Sequence, residues 1–164
     1  GKRRWPMSNP VRVAVDTNVL CAGVRAQWGA QKGVLILAAT GVFRLVVVRP
    51  VHEEAEHILI PYSTALRDYQ RLLKICRAEV GPELTPEQIA AHVDLLPHLR
   101  HVNDLPVLAA ALQAQPDWFL SDNTAHFGPG LAAVSGLNIS TSGDFLRRLI
   151  IPSAGQGSSY IGNW

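Results

Sequence analysis

The chain is poor in cysteine, with Cys21 and Cys76 as the whole complement. They form no C-x-x-C pair and no zinc-ligand spacing, so two buried free thiols are expected. Long apolar runs are also missing. The longest, Val34 to Val48, is interrupted by Thr40-Gly41 and Arg44, well short of the roughly 20 residues that a membrane helix needs. Lys2-Arg3-Arg4 imitates the charged start of a signal peptide, but Arg12, Asp16 and Asn18 break up the apolar stretch that should follow. These absences lead to the expectation of a cytoplasmic chain with no membrane partner. Net charge is small, +2 at pH 7, so its distribution carries more information than its sum. There is no Gly-rich phosphate loop and no G-x-S-x-G elbow, which removes the P-loop and serine-hydrolase classes. His52 and His57 flank Glu53-Glu54-Ala55-Glu56, but a spacing of five turns them about 140° apart on a helix, too far to share a zinc ion.

What is present is a globular chain of 164 residues, 48% hydrophobic and 17% charged, enough for one domain with a real core. Periodicity and punctuation predict strands near residues 11–15, 44–48, 117–121 and 137–141, separated by helical patterns. Strand alternating with helix argues for a mainly parallel sheet with helices on both faces. Gln31 to Ala39 reads as a helix capped near Gly41. Another starts at Pro50 and stops before Pro61, and a third, the most amphipathic, covers 64–79. Thr85, Pro86 and Gln88 spell the start of a short helix through a capping box, and a last helix covers 142–150. The expected organisation is an N-terminal arm or appended remnant over 1–10, one α/β domain over 11–151 and a flexible tail over 152–164.

Four acids stand at the ends of these elements. Asp16 follows Val11-Arg12-Val13-Ala14-Val15 and precedes Thr17-Asn18-Val19-Leu20, where α/β proteins place their chemistry. Glu54, with Glu53 as a rival, lies in the helix after Leu45-Val46-Val47-Val48. Asp104 opens the helix containing Leu108-Ala109-Ala110-Ala111, and Asp122 follows Trp118-Phe119-Leu120. Singly, each is an ordinary cap, turn or solvated acid. Gathered in one crevice they would repel, by roughly 3 kcal/mol per pair about 5 Å apart at an effective dielectric near 20. A hard divalent cation, Mg²⁺ or Mn²⁺, relieves that, and it also polarises a phosphoryl oxygen and activates water. Asn18 in place of a second acid two residues after Asp16 argues against an aspartyl-phosphate phosphatase.

These motifs, together with Ser121-Asp122-Asn123-Thr124-Ala125-His126-Phe127 and Ser140-Thr141-Ser142-Gly143-Asp144-Phe145-Leu146, occur in the order found in PIN-domain nucleases, including the toxin-like members. The chain resembles that family over roughly residues 11–151. The resemblance implies a three-layer α/β/α domain and a Mg²⁺- or Mn²⁺-dependent endoribonuclease. Asp16, Glu54, Asp104 and Asp122 would be its catalytic and metal-binding acids, with Asn18, Ser121 and Asn123 in support. Counting back from His126-Phe127 puts Asn123, rather than Asp122, where many members keep an aspartate, so either residue fills the fourth place. RNA as substrate, an antitoxin as partner and a homodimer are further implications. The alternative is a PIN fold that binds RNA or protein without cutting, a reading that Asn123 favours.

An acidic centre needs a basic rim to hold RNA. Arg67, Arg71, Lys74 and Arg77 recur on one face of the helix over 64–79, and Arg25, Lys32 and Arg49 flank the first two acidic motifs. All seven are candidate RNA contacts, with an ordinary solvated surface as the alternative. His98 and His101 precede Asp104 and are expected at the surface. Trp28 is expected in the core, with stacking on a base as its other use.

Overall fold

A computed structural model describes residues 10–150. Apart from Pro10, the expected arm and tail lie outside the described residues.

The chain opens with β1 (Arg12–Val15), α1 (Thr17–Arg25) and α2 (Ala30–Ala39), followed by β2 (Arg44–Val47), α3 (Arg49–Leu59) and α4 (Ser63–Ile75). Next come β3 (Glu79–Val80) and α5 (Pro86–Ala90), then two 3₁₀ turns, Val93–His98 and Val102–Asp104. It continues through α6 (Leu105–Ala114), β4 (Trp118–Leu120), α7 (Pro129–Ser135), β5 (Ile139–Ser140) and α8 (Ser142–Ile150). All strand pairings are parallel and the sheet order is β3-β2-β1-β4-β5. Helices cover both faces, giving the three-layer α/β/α arrangement expected from the sequence.

Val-rich strands suit a sheet buried on both sides. Val13, Ala14, Val15, Leu45, Val47, Phe119 and Leu120 have no measurable exposure. Phe145 of α8, also fully buried, stands edge-on to Phe43, with ring centroids 5.6 Å apart. The N-terminal edge of the sheet is tied by Arg12, whose guanidinium donates to both carboxylate oxygens of Glu79 and to the carbonyls of Ala114 and Gln115. Strand order reverses between β1 and β4, where successive connections leave in opposite directions. A crevice opens at the carboxyl ends of such a strand pair, and Asp16 and Ser121 are the first residues beyond those two ends.

Two elements depart from the sequence expectation. The helix expected over 64–79 ends at Ile75, and Glu79–Val80 forms the edge strand β3. Arg77 takes a left-handed conformation, φ 49°, and the Ala78 amide closes the turn on the Leu73 carbonyl. A periodicity that continues past such a turn conceals it. The short helix α7 was also unmarked by a long pattern; Gly136, φ 79°, ends it. The expected caps do form: Gly41 lies at φ 83°, and the Thr85–Gln88 box makes both its bonds. Both cysteines are buried and free. Trp28, by contrast, is 83% exposed, because the chain leaves α1 in a turn through Gly29 at φ 105° before α2 returns to the sheet.

Gly23 marks a tight crossing of two helices. A Cβ there would meet Leu35 Cδ1 at 2.6 Å and the Gln31 carbonyl oxygen at 2.8 Å, so α1 and α2 touch through bare backbone. Gly23→Ala therefore sets an overpacking cost against a helix-propensity gain of about 1 kcal/mol. The carbonyl contact cannot relax without moving α2, so the cost wins. Urea unfolding should show a net loss of about 1–2 kcal/mol.

Candidate active site

At the switch point the backbone comes first. The Asp16 amide donates to the Leu120 carbonyl (2.8 Å) and the Ser121 amide to the Ser140 carbonyl (3.0 Å). This stitches the ends of β1, β4 and β5 into one platform. Asp16 then caps α1. Its Oδ1 accepts from the Thr17 amide (2.8 Å), and its Oδ2 accepts from the Ser121 hydroxyl (2.8 Å) and the Asn18 side-chain amide (3.0 Å). Asn18 and Ser121 are held in turn, since the Asp122 amide donates to Asn18 Oδ1 (3.1 Å) and the Asn123 amide to Ser121 Oγ (3.2 Å). The result is a buried carboxylate, 8% exposed, fixed by donors from two strand ends.

Above this platform lies a cleft of about 380 Å³. Asp16, Glu54 and Asp104 line it, together with Thr17, Asn18, Cys21, Ile58, Asn103, Val107, Asn123, His126 and Phe127. Glu54 arrives from α3, on the same face as Ile58 one turn on, whereas Glu53 is not among the lining residues. Asp104 arrives from the 3₁₀ turn ahead of α6, and its Oδ2 pairs with His126 Nδ1 at 2.7 Å.

The carboxylates feel one another. Burial raises the Asp16 carboxyl above its ordinary range against the pull of its three donors, and Asp104 adds to the rise. Glu54 is raised by burial first, then by Asp16 and by Asp104, with the Thr17 side chain opposing. Burial, reinforced by Glu54, also pushes the Cys21 thiol up to about 11. It therefore stays protonated at neutral pH and is a poor nucleophile.

Among the described residues no three His, Cys, Asp or Glu side chains already stand together as a set that could hold a metal ion. The donor set still suits Mg²⁺ or Mn²⁺: every acid offered is a hard oxygen ligand, and such ions keep several waters and take one or two carboxylates directly. A cation of that kind would be held by Asp16 with Glu54 or Asp104, the remaining acid acting through water.

Asp122 is placed differently. Both its carboxylate oxygens accept from the Ser142 hydroxyl (2.8 and 2.6 Å), Oδ1 also accepts from the Ser142 amide, and Oδ2 accepts from Gln31 (2.7 Å). It is occupied at the start of α8 and is not a lining residue of the cleft, while Asn123 is. The basic residues proposed as RNA contacts are likewise elsewhere. Arg25 stacks on the Tyr62 ring at 4.0 Å, Lys32 reaches the Val24 carbonyl and Arg49 donates to the Gly81 carbonyl. Arg67, Arg71, Lys74 and Arg77 are exposed on and just beyond α4, and no Lys or Arg among the described residues lines the cleft. His101 packs its ring 5.0 Å from that of His126. Sequence reasoning used His126 only as a landmark for alignment; its contact with Asp104 joins residues 22 positions apart and leaves no local signal.

No protein-family model and no curated protein matches the sequence. Among solved structures the fold is similar to that of a chain in the crystal structure of VapBC2 from Rickettsia felis bound to a DNA fragment from their promoter. The likeness covers 80% of this chain and 98% of that one, at 15% identity and a TM-score of 0.55. At that identity it is a likeness of fold, and the fold is PIN-like.

Proposed function

We propose that this protein is a Mg²⁺- or Mn²⁺-dependent endoribonuclease of the PIN type. The observation that carries the reading is the delivery of Asp16, Glu54 and Asp104 from three separate elements to one cleft at the switch point of a parallel sheet. When bound there, the metal supplies charge neutralisation, polarises a phosphoryl oxygen and makes water more acidic. The chain's own contribution is positional. Ser121, Asn18 and the Thr17 amide lock Asp16 so that it need not reorganise, and Asn103 and Asn123 offer uncharged polar groups at the wall. Hydrolysis by water needs no nucleophilic side chain, in keeping with the protonated state of Cys21. By the same family resemblance we propose an antitoxin as partner, a homodimer as assembly and the cytoplasm as the place of action. Among the described residues no helix is long and apolar enough to cross a membrane.

The test is incubation of purified protein with mixed single-stranded and structured RNAs in Mn²⁺, and again with chelator. Internal cuts that chelator stops support the reading. Equal cutting with chelator overturns it. Absence of cutting by a protein that binds RNA or a partner protein selects the second reading, a non-catalytic PIN module, which Asn123 at the cleft wall favours.

Asn123→Asp probes the same point. It places a fourth carboxylate on the wall, and the extra ligand charge should tighten Mn²⁺ about tenfold, or roughly 1.4 kcal/mol. The metal-free protein should melt earlier through added repulsion. Calorimetric titration with Mn²⁺ alongside thermal melts reads both effects.

A further inference from the structure

The geometry points to His126 as the residue that positions Asp104 for its task, an inference that rests on the metal-dependent reading above. Asp104 needs such help. It ends an exposed 3₁₀ turn beside Val102, which is 66% exposed, and it makes no side-chain capping bond to α6. Asp16 has donors from its own turn and from β4, whereas the one hydrogen bond to the Asp104 carboxylate among the described residues comes from His126, to Oδ2. Oδ1 accepts no hydrogen bond among the described residues.

His126 is itself well anchored. Its amide and that of Phe127 both donate to the Asn123 carbonyl, at 3.1 and 2.9 Å. Phe127 is 3% exposed and packs its ring 5.1 Å from Phe119 of β4. The imidazole is therefore fixed from the core side by its neighbour. On the other side it meets His101, whose carbonyl accepts the Asp104 amide at 3.0 Å. With a carboxylate as acceptor, Nδ1 must carry the proton that bridges to Asp104. An outer-sphere donor of this kind fixes the orientation of a ligating group, and removing one commonly costs 10- to 100-fold in metal affinity.

Asparagine and glutamine separate positioning from other uses of the ring. The Asn side-chain nitrogen falls where Nδ1 stands, and the Gln nitrogen where Nε2 stands. Mn²⁺ titration calorimetry on wild type, His126→Ala, His126→Asn and His126→Gln, with melts and RNA cleavage in parallel, is the experiment. The alanine and glutamine variants should bind Mn²⁺ roughly 10- to 100-fold more weakly. The asparagine variant should stay within about threefold of wild type, a rescue that follows from its retained donor. Circular dichroism should be nearly the same for all four, and melting temperature should change far less than Mn²⁺ affinity, since the ring, about a fifth exposed, sits on the loop between β4 and α7 and not within a strand or helix. The inference is overturned if His126→Ala binds Mn²⁺ as tightly as wild type, or if affinity falls only in step with melting temperature. It is also overturned if His126→Gln keeps activity while His126→Asn loses it, since Nε2 would then be the working atom. Wild type that binds no Mn²⁺ removes the metal reading beneath it and this inference together. That result differs from tight binding by wild type and His126→Ala alike, which removes this inference alone.

Discussion

Asp16→Asn is expected to cut metal-dependent RNA cleavage by at least about 10³-fold, or roughly 4 kcal/mol of barrier, while leaving the protein folded. Two opposing effects set the stability. Removing a buried charge relieves the desolvation and the repulsion that raise this carboxyl. Against that, the carboxylate accepts from Thr17, Asn18 and Ser121, and an amide keeps one acceptor and turns a donor toward the others. Ser121 can rotate its hydroxyl to accept; the Asn18 amide cannot without releasing Asp122. Asparagine also remains a good N-cap for α1. The net change in unfolding free energy should stay within about 1 kcal/mol.

The sharper signature is in linkage. A ligand that binds only the folded state stabilises it by RT ln(1 + [L]/Kd), about 2.7 kcal/mol at a hundred times Kd. Mn²⁺ should therefore raise the melting temperature of wild type and leave that of Asp16→Asn unmoved. Cleavage surviving in the variant at the wild-type rate would refute Asp16 as the central acid.

The legible parts of the molecule were those written in local pattern. Continuous apolar runs marked β1, β2 and β4, because a strand buried on both faces has to be rich in Val, Leu and Phe. Asp16 was legible for a related reason: an acid straight after such a strand has few places to go except the carboxyl edge of the sheet. Asp104 and Glu54 were read from their places beside α6 and in α3, and the fold carries both to the cleft that Asp16 lines. The preference for Glu54 over Glu53 came from the resemblance, through its spacing from Leu59, and in the fold Glu54 lines the cleft while Glu53 does not. One residue is about 100° of rotation, which turns Glu53 away from the cleft that Glu54 lines.

What escaped was non-local. Two residues of β3 carry too little pattern to announce an edge strand, and the left-handed turn at Arg77 uses an arginine where glycine would have been a signal. His126 and Asp104 meet only because the loop after β4 folds back over the start of α6. Basic residues were legible as charges and not as directions. Arg49 spends its Nε proton on a β3-edge carbonyl, and Arg25 covers a tyrosine ring, partners that no spacing rule identifies.

Asp122→Ala should destabilise the protein by about 3 kcal/mol and leave the Mn²⁺ affinity of the cleft within about threefold of wild type, the reverse of the pattern expected for Asp16→Asn. Ser142 is 1% exposed, and its amide and hydroxyl both donate to this carboxylate. Removing the acceptor leaves two buried donors unpaired, at about 1–3 kcal/mol each before relaxation. It also deletes the anion that faces the N-terminus of α8, worth a further fraction of a kcal/mol. Gln31 of α2 loses its partner too, so the tie between α2, β4 and α8 goes at once. Backbone placement at the cleft should survive, because the bond to Asn18 comes from the Asp122 amide and needs no side chain. Urea unfolding followed by circular dichroism, with Mn²⁺ calorimetry on the folded variant, separates the two roles. A stable variant that has lost Mn²⁺ would put the Asp122 carboxylate back among the metal's ligands and make its grip on Ser142 a resting arrangement.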